Sequence, residues 1–341
     1  MKKVASKLLS VLLVVILTLS MAACGSTAKD TSKEASKETP KETPKEKFPT
    51  RPISVIVSYA AGGGTDLGAR TLMPFVEKEL GVPMTVINKA GAGGWLGWLD
   101  LLGAKPDGYT IAMINTPNLI TGYVDPQQKR KENLDSFSLI GNQVTDAGVI
   151  AVRKDEKRFT NMKELVEYAK KNELTTTSTG IAGDDHIAAL KLNKEQGTKF
   201  NAVHNKGVAE SITSVLGGHV DVMFANVGEV TNLYNNKEIN VLAVMSEKRA
   251  ISLPNVPTLK ELGLGEIYSW SARGFAAAKG VDAENMKILI AAFEKAIKNP
   301  DHIKKMADMG LEVDYKDPAA YYKALQSEEK SVNGLKSLLG W

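Results

Sequence analysis

The sequence contains few of the residues that build disulfide-stabilised folds or metal sites. It has one cysteine, Cys24, and four histidines in 341 residues. One cysteine cannot form a disulfide within the chain, so stability must come from core packing. No two histidines have a metal-ligand spacing such as His-x-x-x-His; they are His186, His204, His219 and His302. We therefore predict no bound metal and no cofactor.

The sequence also lacks the phosphate-binding and nucleophile motifs of common enzymes. A P-loop needs a lysine after its glycines, but Gly64 is followed by Thr65 and Asp66. The stretch "GAGGWLG" (91–97) has Leu96 where a dinucleotide fingerprint requires glycine, and no Gly-x-Ser-x-Gly elbow occurs. We predict no catalytic residues. The alternative, a secreted enzyme acting on an anionic substrate, needs a Ser, His and Asp assembled in space.

Net charge is absent from most of the chain. The formal charge of +4 arises from 43 basic and 39 acidic residues. Residues 1–23 contain three lysines, and residues 24–47 contain six lysines and five acids. The rest of the chain therefore contains 34 basic and 34 acidic residues. A nucleic-acid partner would favour a basic face. The balance therefore argues against nucleic-acid binding.

The first 23 residues have the pattern of a secretory signal peptide. Three lysines precede an apolar stretch at 8–19, which the small-residue run "MAAC" follows. The apolar stretch is too short for a comfortable membrane span. The run resembles the lipobox of bacterial lipoproteins, in which the cysteine is acylated, although Met21 is an unusual residue there. We predict an extracytoplasmic protein held to the lipid membrane through Cys24; a plain secreted protein is the alternative.

Residues 24–47 have the composition of a disordered tether. After Cys24 they read "GSTAKDTSKEASKETPKETPKEK", with a repeated "KETP" and no large apolar residue. Such a segment cannot bury enough apolar surface to offset its chain entropy. We expect a solvated spacer between the anchor and the folded part.

The remaining part, roughly 290 residues, is long enough for two domains. Apolar, β-branched runs predict strands at 53–60, 84–88, 109–115, 148–152, 174–179, 220–225, 241–245 and 274–278. Helical patterns lie at 65–80, 161–171, 184–196, 208–216, 282–298 and 317–339. This alternation predicts an α/β fold with largely parallel sheets flanked by helices. We find no sequence repeat in this part.

Several predicted strand ends are rich in glycine, hydroxyl residues or asparagine. They read "YAAGGGTD" from Tyr59, "NTPN" from Asn115, "TGIAGDDH" from Thr179 and "FANVGE" from Phe224. In open α/β sheets, ligands bind at such strand-to-helix junctions. Glycines uncover main-chain amides, and the first amides of a helix attract carboxylates or phosphates. The first loop, in which Thr65 suits the N-cap, is predicted to bind an anion or to form a tight turn without a ligand.

The second glycine loop carries two acids at its helix start. Gly180 and Gly183 free the backbone, Asp184 suits the N-cap, and Asp185 falls in the first turn. Two carboxylates near the mouth of a site would oppose an anion. They would favour an ammonium group, a cation, or a protonated or water-bridged acid. His186 is expected to pack or hydrogen-bond at the helix start.

Six phrases along the chain resemble the receptors of tripartite tricarboxylate transporters, the TctC/Bug family. They are "RPISVIVSYAAGGGTDLGAR", "NKAGAGG", "KPDGYTI", "VLGGHVDVMFANVGEV", "LPNVPTLKELG" and "WSARGFAAAKG". Their order and spacing extend from residue 51 to the end of the chain. The resemblance implies a type II periplasmic-binding-protein-like fold: two lobes, each with a central sheet flanked by helices, and a ligand cleft between them.

The resemblance also implies the division into lobes and the role of the protein. The crossings would fall near 148–152 and 274–278, so one lobe would hold 48–152 and 273–341, and the other 153–272. The receptor would deliver its ligand to membrane permease subunits. A protein that presents its ligand-bound face to a sensory histidine kinase is an alternative role.

Relatives of this kind grip a carboxylate between one loop from each lobe, which implies a set of ligand-binding residues here. The implied set combines both glycine loops with nearby polar strand ends: Tyr59, Ala61, Gly62, Gly63, Gly64, Thr65, Asp66, Asn115, Thr116, Thr179, Gly180, Ala182, Gly183, Asp184, Asp185, His186 and Asn226.

The sequence departs from the family pattern in both loops. Ala61 stands where many relatives have proline, and Asp184 and Asp185 stand where many have serine or proline. These departures leave the ligand open. We expect a di- or tricarboxylate; the alternatives are an aromatic acid or an acidic amino acid, whose ammonium Asp66 or Asp185 could receive.

Overall fold

The computed structural model describes residues 47–205 and 207–341. The predicted signal peptide, Cys24 and the tether up to residue 46 lie outside the described residues. Within the described ranges, none of the helices combines the length and apolarity that a membrane crossing requires.

Strands and helices alternate along the described chain. The ten strands are β1 (Ile53–Val57), β2 (Met84–Asn88), β3 (Thr110–Thr116), β4 (Phe137–Arg153), β5 (Leu174–Ser178), β6 (Phe200–His204), β7 (Met223–Asn226), β8 (Ile239–Val244), β9 (Trp270–Ala278) and β10 (Val313–Lys316). The eleven α-helices are α1 (Gly64–Leu80), α2 (Trp95–Gly103), α3 (Asn118–Val124), α4 (Met162–Lys171), α5 (Asp184–Gln196), α6 (Val208–Leu216), α7 (Val227–Asn235), α8 (Ala283–Ile297), α9 (Pro300–Asp308), α10 (Pro318–Asn333) and α11 (Lys336–Leu339).

Strands β5 and β6 form a small parallel sheet, and the other eight form a mixed sheet rather than the largely parallel sheets that the sequence predicted. Its order is β10-β4-β9-β3-β1-β2. Strand β1 is parallel to β2 and β3, but β9 is antiparallel to both β3 and β4. The prediction was wrong because a strand buried on both faces has the same apolar composition in either direction.

Strand β4 is 17 residues long and takes part in two sets of pairings. Its first part pairs with β9 up to Ala147, and its last part, from Gly148, pairs with β7 and β8. The sequence predicted only 148–152 of this strand. The first part was missed because polar residues interrupt it, notably Asn142 and Gln143, which are fully buried.

Apolar side chains cover both faces of the sheet in separate clusters. Helices α1 and α8 pack on one face around Leu72 and Phe293, and α2 and α10 pack on the other around Trp98 and Tyr321. Helix α2 approaches β1 closely, since a Cβ at Gly97 would lie 2.4 Å from Ser58 Oγ. The loops that follow β1 and β3 are therefore held on a rigid base.

A second pair of clusters surrounds the last part of β4. Side chains of α4 and α5 pack with β5 on one side, around Leu165 and Leu192, and those of α7 and β8 pack on the other, around Val230. Ile187 of α5 is an exception. It packs in the cluster of Trp95 and Ile120, so the two parts of the protein share this contact.

The helix predictions were confirmed for α1, α4, α5, α6 and α8, with small shifts at their ends. The single helix predicted over 317–339 is wrong, because α10 ends before Gly334 and α11 begins at Lys336. Strands β6 and β10 and helices α2, α3, α7 and α9 were not predicted. Each of these has fewer than ten residues, too few to show a clear hydrophobic period.

Candidate functional site

The two glycine loops have similar backbone conformations where their helices begin. Residues 58–63 join β1 to α1, and residues 179–183 join β5 to α5. At equivalent positions, Gly63 (φ −76°, ψ 164°) and Gly183 (φ −71°, ψ 169°) are the N-caps of their helices. The loops are therefore twins, 120 positions apart, although their sequences show no repeat.

Equivalent hydrogen bonds close both loops. The amide of Gly62 donates to Asp66 Oδ2 at 2.9 Å, and the amide of Ala182 donates to His186 Nδ1 at 3.0 Å. Gly62 and Ala182 both have a positive φ, of 81° and 57°. Ala182 holds a conformation that alanine rarely adopts. Backbone strain of this kind is common at binding sites, so it favours a role of the second loop in ligand binding.

The predicted N-caps were wrong by one or two residues. Thr65 is the second residue of α1 and Asp184 is the first residue of α5. Glycine at the N-cap supplies no side-chain oxygen, so no side chain caps either helix. Thr65 and Asp184 instead accept hydrogen bonds from asparagine side chains of neighbouring strands, Asn115 and Asn226.

The start of α1 offers main-chain donors. Among residues 47–205 and 207–341, no acceptor is recorded for the amides of Gly64, Thr65 and Asp66, and the first backbone bond of the turn is Leu67 N to Gly63 O, 2.9 Å. Residues 60–64 are exposed. Unsatisfied amides at the positive end of a helix dipole form an anion site.

Asp66 holds the first loop in shape. Its buried carboxylate accepts from Gly62, from Arg70 Nε at 2.9 and 3.0 Å, and from Asn88 Nδ2 at 2.8 Å. Burial opposes ionisation, but the hydrogen bonds from Arg70, Gly62 and Asn88 prevail and lower the pKa of Asp66. Both its oxygens are thus occupied by donors of the protein.

At the start of α5 a carboxylate of the protein itself lies against the first helical amides, where an anionic ligand would otherwise bind. The buried carboxylate of Asp184 interacts with its own amide and that of Asp185, and accepts from Asn226 Nδ2 at 2.7 Å. Asp185 Oδ2 accepts from the amide and the hydroxyl of Thr179, each at 3.3 Å. Burial raises the pKa of both acids, and the charge of Asp184 adds to the rise at Asp185.

Arg273 lies between the two loops and was missed by the sequence analysis. Its Nη1 is 3.7 Å from the position that a Cβ would take on Gly64, and its Nη2 is 3.7 Å from Asp146 Oδ2. The guanidinium is buried, and its Nε and Nη1 have no hydrogen-bond partner among the described residues. A signal existed: "WSARGFAAA" places one charge in a buried strand, where charges are rare unless they are paired or functional.

Two further acids, also missed, complete the charged centre. Asp146 Oδ1 accepts from the amide of Gly228 at 3.0 Å, and Glu229 Oε2 accepts from the amide of Asn226 at 2.9 Å. Burial raises the pKa of Asp146 to about 6 and, with the charge of Asp184, that of Glu229 to about 8. The guanidinium of Arg273 thus interacts electrostatically with three buried acids, Asp146, Asp184 and Glu229.

Other predicted site residues lie around this centre. Asn115 is paired with Arg273 across β3 and β9, and its Nδ2 donates to Thr65 Oγ1 at 2.9 Å. The Oγ1 of Thr116 is buried without a hydrogen-bond partner in the described part of the chain. Tyr59 OH donates to the carbonyl of Gly93, at 3.3 Å.

His186 is a neutral acceptor. Since its Nδ1 accepts from Ala182, the proton lies on Nε2. Burial, helped by the nearby His204 ring 5.0 Å away, lowers the pKa of His186 to about 4. Among the residues described, no group of three or more His, Cys, Asp or Glu side chains is placed to hold a metal ion.

A cleft of about 430 Å³ opens beside the second loop. Its walls are Ile181 and Ala182 on one side, and Gly93, Asn118 and Arg130 on the other. Ile181 is 70% exposed at the tip of the loop.

Known proteins resemble the chain over nearly all of its described length. The family model described as "Tripartite tricarboxylate transporter family receptor" matches residues 69–338. A Cupriavidus necator protein, "UPF0065 protein in gbd 5'region", is 34% identical over 299 residues, which cover 86% of this chain and 89% of that protein.

Solved structures agree with this result. A TctC solute binding protein from Polaromonas is 31% identical, with a TM-score of 0.74 over 85% of this chain and 99% of that chain. The periplasmic binding protein BugD is 29% identical, with a TM-score of 0.73 over 86% and 99%. The predicted two-lobed periplasmic-binding-protein fold is confirmed. The chain belongs to the tripartite tricarboxylate transporter receptors, which are extracytoplasmic solute-binding proteins rather than enzymes.

Proposed function

We propose that this receptor captures a small organic acid between its twin loops and delivers it to membrane permease subunits. The observation that carries the proposal is the start of α1, where unsatisfied amides lie beside the buried guanidinium of Arg273. A carboxylate there would accept from main-chain donors and from a charged fork, which is the geometry that arginine offers to carboxylates.

The two lobes of this proposal are residues 48–152 with 273–341, and residues 153–272. Closure would bring the α5 loop over the α1 loop and expel bulk water, which strengthens the hydrogen bonds to the ligand. A ligand that touches both lobes favours the closed population, and the permease recognises that closed form.

We further propose that acylated Cys24 anchors the receptor to the cell membrane, with residues 24–47 as the spacer. The basic, apolar and small-residue regions before Cys24 support this. Growth with a labelled fatty acid should label the wild type, and Cys24→Ser should abolish the label. A labelled Cys24→Ser protein would refute the anchor.

Thermal denaturation tests the capture of an acid. The full chain, freed of bound ligand by unfolding and refolding, is heated with a panel of mono-, di- and tricarboxylates and amino acids. We expect at least one acid to raise the midpoint in proportion to the logarithm of its concentration. If none does so in protein that mass spectrometry shows to be empty, capture of a small acid is wrong.

A further inference from the structure

We propose that the ligand carries one carboxylate and one positively charged nitrogen, with the carboxylate at the start of α1 and the nitrogen beside Asp184 and Asp185. This inference rests on the proposed function, since it assigns the two ends of a captured acid. It differs from the di- or tricarboxylate that the family resemblance favours.

The twin loops differ where a ligand would contact them. The first residue of α1 is Gly64 and its twin in α5 is Asp184; the second is Thr65 and its twin is Asp185. Gly64 leaves its amide open beside a guanidinium. Asp184, by contrast, fills the anion position of α5 with its own carboxylate. The same backbone therefore presents an anion site in one loop and a fixed anion in the other.

The charged side chains around the site are mostly acidic. Asp146, Asp184, Asp185 and Glu229 are buried or nearly so, and they interact electrostatically with one another. Arg273 is the cation that acts on three of these acids, Asp146, Asp184 and Glu229. A dianion would add two further negative charges to this acidic group, whereas a ligand with one carboxylate and one cationic nitrogen adds no net charge.

Unpartnered polar atoms point to an occupant independently of the acids. Arg273 Nε and Nη1 are buried and have no hydrogen-bond partner among residues 47–205 and 207–341. Asp146 Oδ2 is 3.7 Å from Arg273 Nη2, which is too long for a hydrogen bond. A buried donor or acceptor without a hydrogen-bond partner lowers the stability of the folded protein. The two unpartnered nitrogens of Arg273 are available for the carboxylate of a ligand.

A series of ligands with one carbon skeleton tests the assignment. Isothermal titration of the ligand-free full chain would compare butanoate, 4-aminobutanoate, succinate and 1,4-diaminobutane. The five-carbon set, from pentanoate to 1,5-diaminopentane, and the three-carbon set repeat the comparison at other lengths. We expect the amino acid in at least one set to bind about tenfold or more tightly than its dicarboxylate and its diamine, a difference of about 1.4 kcal/mol.

Two variants test which loop holds the nitrogen. Asp185→Asn should weaken the best amino acid about tenfold or more and leave the matching monocarboxylate within about twofold. Asp184→Gly with Asp185→Thr gives the second loop the residues of the first, and should reverse the preference toward the dicarboxylate. Asp308→Asn, at an exposed position of α9, removes the same charge and should change nothing.

The outcomes separate this inference from the proposed function. If the dicarboxylate binds best to the wild type, the charge assignment is wrong and capture of an acid stands. The same conclusion follows if Asp185→Asn weakens the amino acid and the monocarboxylate equally. If the diamine binds best, or if no compound binds, the carboxylate site at α1 fails as well.

Discussion

Gly63 is the residue at which a small change should affect binding most and folding least. Its φ of −76° suits any residue, and an added Cβ would meet only the carbonyl of Ala60, at 3.5 Å. The neighbouring Gly62 has a φ of 81°, so a substitution there would strain the loop instead. Gly63 can therefore separate binding from stability.

We predict that Gly63→Val abolishes ligand binding while the chain still folds. The valine methyl groups would stand where a carboxylate approaches the amides of α1. Affinity should fall at least about thirtyfold, or about 2 kcal/mol, measured by titration, with the thermal midpoint of the ligand-free protein nearly unchanged. Unchanged affinity would remove the first loop from the site.

At the residue scale, the sequence located the loops but not their charged surroundings. Each loop is a continuous stretch, and glycines next to a helix pattern are visible in it. Asp146, Glu229 and Arg273 belong to distant segments that meet only through the pairing of β4, β7 and β9. No local sequence pattern predicts that these residues lie together, apart from the single charge in the buried strand β9.

At the scale of elements, α2 shows how closely a helix can approach the sheet. A Cβ at Gly97 would lie 2.4 Å from Ser58 Oγ and 3.0 Å from Ile56 Cγ2. Gly103, the last residue of the same helix, has nothing within 4 Å of its would-be Cβ. Gly103 is therefore a control for Gly97, because both lie in α2 and only Gly97 is tightly packed.

We predict that Gly97→Ala destabilises the protein by about 1–3 kcal/mol, because overpacking forces α2 away from β1. Gly103→Ala should be neutral or stabilise by roughly 0.5–1 kcal/mol, since it reduces the freedom of the unfolded chain. Urea denaturation of both variants gives the free energies of unfolding. Equal effects of the two substitutions would show that the α2–β1 contact is not tight.

The direction of strands was the main feature of the elements that the sequence did not reveal. Strand β9 reads as a continuous apolar run, and such a run fits a parallel or an antiparallel neighbour equally well. Its antiparallel place between β3 and β4 depends on pairings between residues more than 100 positions apart. The sequence therefore predicted strands where the apolar runs were long, but it did not predict the order and direction of the strands in the sheet.

At the scale of the whole molecule, the buried acids should make stability depend on pH. Burial and the charge of Asp184 raise the pKa of Glu229 to about 8, with Asp146 opposing its ionisation and Arg273 favouring it. A raised pKa means that the folded state binds more protons than the unfolded state in this range. Stability of the ligand-free protein should therefore increase as pH falls from about 8 toward about 6.5.

We predict that Glu229→Gln flattens this slope. Over that window Glu229 accounts for at most about 2 kcal/mol. Below about 6.5 the three histidines with lowered pKa, His186, His204 and His302, begin to oppose the trend. Urea denaturation at pH 6.5, 7.2 and 8.0 measures the slope in both proteins. An identical slope in wild type and variant would show that Glu229 is already ionised at pH 6.5.

Ile187 has a consequence for the resting state of the receptor. This side chain belongs to the helix of the second loop but is enclosed by aromatic and aliphatic groups of the opposite half. Swinging the halves apart would return it to water, at a cost of about 1.5–3 kcal/mol. If the lobes close as proposed, we expect this contact to favour the closed arrangement even without a ligand.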